Sequence, residues 1–60
     1  MTLKELFSHF NDKTTKVDLS TSQFRVIRPI NDLESTLSED LLDAPVSNWF
    51  TDNTILMVDI

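Results

Sequence analysis

An absence constrains this chain more than any residue it contains: its sixty residues include no cysteine and one histidine, His9. A domain of this size buries only ~60% of the surface its unfolded chain exposes, and small scaffolds usually make up the deficit with disulfides, a structural metal or association. The first two routes are closed here. The sequence therefore predicts a single domain over residues 1–60, of modest stability, that leans on self-association or on a partner. Glycine is absent too, which leaves the turns to Asn, Asp, Ser and Pro.

Apolar periodicity places the elements. Thr2-Leu3-Lys4-Glu5 matches a capping box, and Leu3, Leu6, Phe7 and Phe10 follow at helical spacing, so a helix starts at Thr2 and ends near Asn11 and Asp12. His9 lies off that stripe and reads as a solvated side chain. Lys16 to Ser20 alternates, with Val17 and Leu19 on one face and Lys16, Asp18 and Ser20 on the other. Phe24 to Ile27 is a second β-prone run that stops near Arg28, joined to the first through Ser20-Thr21-Ser22. Val26 and Ile27 are adjacent apolar residues, which point to opposite faces or mark a bulge.

From Ile30 to Pro45 the chain reads as a connection holding one short helix, capped by Ser38 with Glu39 and Asp40 in its first turn, while Asp32 to Thr36 reads as mobile. Val46 to Phe50 and Ile55 to Ile60 then form a second hairpin about Thr51-Asp52-Asn53-Thr54. Pairing Phe50 with Ile55 puts Phe50, Ile55 and Met57 on one face, and Trp49, Leu56, Val58 and Ile60 on the other. Trp49 is expected in the core. Both faces carry apolar residues, whereas a sheet with helices on one side usually turns a polar face outward, so one face is expected to seek a partner or to lie under the first helix. The expected fold is α+β: an N-terminal helix packed on a small antiparallel sheet of two β-hairpins, with a short helix in the connection.

Charge narrows the range of partners. All five basic residues, Lys4, Lys13, Lys16, Arg25 and Arg28, fall in the first 28 positions; from Pro29 onward there are seven acids and no base. A chain of net charge −5 should not bind nucleic acid directly, because phosphate neutralisation needs clustered Lys and Arg. A protein with a basic surface is the expected partner. The acids Glu34, Glu39, Asp40 and Asp43 supply a candidate rim, with apolar contacts from Phe50, Ile55 and Met57. Two further readings stand beside it: a subunit that self-associates as a homodimer, and a nucleic-acid mimic, which requires the carboxylates to gather on one side.

Catalytic chemistry is not expected. There is no Cys nucleophile and no second histidine for a triad, no Cys/His set for zinc, no calcium loop with its turn glycine and no glycine-rich phosphate loop, so neither metal nor cofactor is anticipated. Glu39, Asp40 and Asp43 read as ordinary helix-terminus acids rather than a catalytic pair. Met1 to Glu5 lacks the basic and apolar regions of a secretory signal, and no apolar run approaches the ~20 residues of a membrane span, so a cytoplasmic, membrane-free protein is expected.

The order of pieces, Met1-Thr2-Leu3-Lys4-Glu5-Leu6-Phe7, a hairpin, Leu37-Ser38-Glu39-Asp40-Leu41-Leu42-Asp43-Ala44-Pro45-Val46 and a closing strand through Thr54-Ile55-Leu56-Met57-Val58, resembles small uncharacterised phage and prophage proteins of low-GC Gram-positive bacteria. The first hairpin departs from that pattern by placing Ser20-Thr21-Ser22 where a glycine is usual. The resemblance implies an accessory role, such as an inhibitor of a host enzyme or defence complex.

Overall fold

The computed structural model describes all residues, 1–60, as three short helices on one face of a four-stranded sheet. Helix α1 runs Leu3–Ser8 and opens with the capping box: the Thr2 hydroxyl accepts from the Glu5 amide at 3.2 Å, and the Glu5 carboxylate accepts from the Thr2 amide at 3.0 Å. The Thr2 amide, and after it the Thr2 hydroxyl, hold the Glu5 carboxyl below its ordinary range. The helix ends at His9, two residues before Asn11, where the Phe7 carbonyl accepts from the Phe10 amide at 3.1 Å and from the Lys13 ammonium at 2.7 Å. A helix this short is marginal alone. Burial holds it, because Leu3, Leu6 and Phe7 are in the core and each contributes ~1.5–3 kcal/mol on being buried.

Strands β1 (Lys16–Ser20) and β2 (Arg25–Pro29) form the first hairpin, and β3 (Asn48–Asp52) and β4 (Ile55–Asp59) the second. Each hairpin is antiparallel within itself, but the order is β2-β1-β4-β3 and the central β1–β4 pair is parallel, so the sheet is mixed rather than antiparallel throughout. The parallel join follows from a crossover between hairpins that carries two helices, α2 (Ile30–Thr36) and α3 (Glu39–Leu42).

Helix α2 corrects the expectation of a mobile Asp32 to Thr36 segment. Ile30 and Leu33 are buried at i, i+3, Pro29 sits at the N-cap, and the Ile30 and Asn31 amides donate to the Thr15 and Lys13 carbonyls at 3.0 and 2.9 Å. Two apolar positions are too few to show a period in sequence; the anchoring comes from the distant 13–15 segment. Helix α3 is capped by the Ser38 hydroxyl, as its sequence suggests.

Val17, Leu19, Leu56 and Val58 face the helices and join Leu3, Leu6, Phe7, Ile30, Leu33 and Leu42 in one core. Pairing adjusts the second hairpin. Phe50 faces Met57 and Asp52 faces Ile55, leaving Asn53-Thr54 as a two-residue loop in which Asn53 takes φ 63°. Phe50 is therefore offset by two residues from the expected partner Ile55, and because the side-chain period is two, every face assignment survives. Val46 lies outside β3, its amide bonded to the Met1 carbonyl at 2.8 Å. Trp49, expected in the core, is 45% exposed: it faces the helix side, but from the outermost strand, all five residues of which are exposed.

Candidate functional site

Two uncovered surfaces flank this core. The first is a groove of about 520 Å³ between the β1–β2 loop and α3, lined by Phe24, Leu41, Ala44, Pro45 and Ile60 with Thr21, Ser22, Gln23 and Ser38. Thr21 builds its outer wall without glycine. Its hydroxyl accepts from the Gln23 and Phe24 amides, both at 3.0 Å, and its own amide donates to the Phe24 carbonyl at 2.8 Å, which fixes a compact loop and presents the Phe24 ring, 39% exposed. The inner wall is α3 and its exit.

Acids lie on the same helix, outside the groove lining itself. Glu39 and Asp40 occupy the first turn of α3 and Asp43 its C-cap; all three are exposed, and none forms an ion pair. Glu34 lies on α2, 3.9 Å from the Lys13 ammonium. The groove thus has a mixed apolar and hydroxyl lining, and the helix that forms one wall carries three unpaired carboxylates beyond it.

The second surface is the sheet face that no helix covers. Register places three rows on it from β2 to β3: Arg25, Ser20, Asp59, Asn48; then Ile27, Asp18, Met57, Phe50; then Pro29, Lys16, Ile55, Asp52. Ile27 and Phe50 are 53% and 50% exposed, while Met57 and Ile55 are half-buried. Asp18 is only 5% exposed, and the Arg25 guanidinium spans it with Nε at 2.9 Å and Nη2 at 2.6 Å. These charge-assisted bonds hold the Asp18 carboxyl below its usual range against the upward pull of burial. Beside the pair lies a shallow depression of about 260 Å³, floored by Asp18, Ser20 and Met57 and flanked by Arg25, Asp59 and Phe50.

The sequence-derived candidates therefore divide. Phe50, Ile55 and Met57 do share one face, but Glu34, Glu39, Asp40 and Asp43 belong to helices on the other side of the sheet, so the two sets lie on different surfaces. The carboxylates do not gather on one side either, since Asp18, Asp52 and Asp59 are on the open face. Phe24, Leu41 and Ile60 went unread as groove residues because three distant segments form that groove. The Asp18–Arg25 pair was legible in principle, as a diagonal across the first hairpin. No helix is long and apolar enough to cross a membrane. Comparison with protein families, with curated proteins and with solved structures finds no match.

Proposed function

We propose that this chain is a protein-binding module that takes up a basic, apolar-anchored segment of a partner protein in the groove beside α3. The observation that carries this reading is the groove itself: Phe24, Leu41 and Ile60 offer apolar contact, and the adjoining helix carries Glu39, Asp40 and Asp43 without a neutralising cation. Apolar contact sets residence time and the carboxylates raise the rate of encounter with a cationic partner. An accessory role as an inhibitor of a basic-surfaced host enzyme or defence complex fits such a module.

A displayed peptide library screened against the whole chain tests it. Enriched peptides should combine Lys or Arg with a large apolar residue, and their binding should weaken as salt is raised. Phe24→Ser should abolish capture, and the double reversal Glu39→Lys with Asp40→Lys should remove the basic preference. Enrichment of neutral sequences, no enrichment at all, or capture indifferent to Phe24→Ser would each overturn the reading.

A further inference from the structure

We propose that the open sheet face is the interface of a symmetric homodimer, with a second copy of this chain as its occupant. This goes beyond the groove reading and does not depend on it. Three features of the face point to self-pairing. The side of the sheet without helices carries four apolar side chains, Ile27, Phe50, Ile55 and Met57, where a solvated face usually alternates to polar. The face carries a half-exposed ring, Phe50, at one side of a depression that Asp18, Ser20 and Met57 line on the neighbouring strands. Its charge is divided: the β2/β1 half holds Lys16 and Arg25 against Asp18, and the β4/β3 half holds Asp52 and Asp59 with no cation.

A two-fold axis running along β4 satisfies all three. It lays β3 of each copy over β1 of the other with the rows kept in step, because rotation about the strand direction preserves position along the strand. Phe50 then enters the depression of the second copy, over Asp18 and beneath the Arg25 guanidinium, where cation and ring attract. Lys16, which makes no ion pair within the chain, stands against Asp52 of the second copy. Met57 meets Met57 of the second copy near the axis. The result is two sheets back to back with helices outside, and the two grooves on outer surfaces, free for partner segments.

Size sets the strength. The axis overlays three strands of each copy, β3, β4 and β1, which at ~4.8 Å spacing and five residues of ~3.3 Å each gives an overlap of roughly 240 Å² in plan, well short of the ~800 Å² per partner of a standard interface. The dimer should be reversible, with a Kd of roughly 10 μM to 1 mM.

Sedimentation of the whole chain across that range is the experiment. Monomer should convert to dimer with concentration, and Phe50→Glu, checked for folding by circular dichroism, should weaken association by at least ~10-fold. Lys16→Glu and Asp52→Lys should each weaken it roughly 3- to 10-fold, since every reversal acts at two equivalent contacts, and the double variant should recover the loss. Met57→Cys, the only thiol in such a chain, should crosslink with a short bismaleimide at concentrations where dimer forms. A monomer at every concentration, a dimer indifferent to Phe50→Glu, or a double variant no better than either single one would overturn the proposal. Pairing through the exposed β3 edge would show itself by failing the Met57 crosslink, which also overturns it. Peptide capture by the groove is read separately, so either reading can fall without the other.

Discussion

Replacing Arg25 by methionine should destabilise the fold more than neutralising Asp18, although both changes break the same ion pair. The asymmetry comes from burial: Asp18 is 5% exposed and takes both its hydrogen bonds from Arg25, whereas the Arg25 side chain is 64% exposed. In Arg25→Met the carboxylate stays buried with no donor. Stranding one partner of a fully buried pair costs ~3–5 kcal/mol, and discounting for the water that reaches the vacated site gives ~2–3 kcal/mol. In Asp18→Asn the guanidinium is left to solvent, and the loss should be ~1 kcal/mol. For a domain of this length each kcal/mol moves Tm by roughly 4–8 °C, so the two variants should separate by several degrees.

The pH dependence should also change sign at this site. In the native chain the folded Asp18 pKa is depressed, so its contribution is complete above the unfolded value of about 3.9 and is lost as pH falls through the lower folded value. In Arg25→Met burial alone remains and raises the folded pKa. Lowering the pH through that raised value then protonates the stranded carboxyl and relieves the penalty. Urea unfolding at low protein concentration, followed through Trp49, should show Arg25→Met losing most at pH 7 and recovering relative to the native chain near pH 4. A loss equal to that of Asp18→Asn, or no relative recovery in acid, would refute the argument.

Asn53 holds φ 63° at the first position of the two-residue β3–β4 loop. Asn53→Gly should therefore raise stability by up to ~1 kcal/mol, while Asn53→Val should lower it by ~1–2 kcal/mol, with the order Gly, Asn, Val checked by thermal unfolding. Leu33 is buried from α2, so Leu33→Ala should cost ~2–4 kcal/mol and lower amide protection across residues 30–36; a mobile segment would show neither effect.

Local signals were legible where their chemistry is complete within a few residues. The capping box at Thr2, the Ser38 cap, the alternation of Lys16 to Ser20 and the turn about Asn53 all appear in the structure because neighbouring side chains and backbone satisfy one another. The face shared by Phe50, Ile55 and Met57 was legible for a related reason: an offset of two residues does not change the side of a strand. Helix α2 was not, because Ile30 and Leu33 acquire helical meaning only when the 13–15 segment takes up the first amides.

Composition and period by themselves determined that this chain has two hairpins, an amphipathic first helix and a surplus of carboxylates after Pro29, since these depend on spacing and on covalent charge alone. Tertiary structure decided everything that needs two distant segments at once. Crossing between hairpins made the β1–β4 join parallel, left Trp49 on an outer strand, assembled the groove from Phe24, Leu41 and Ile60, and set the acidic helices on the opposite side of the sheet from Phe50. A sequence pattern fixes which side of its own element a residue faces. What that side meets depends on how the elements pack to bury one shared core.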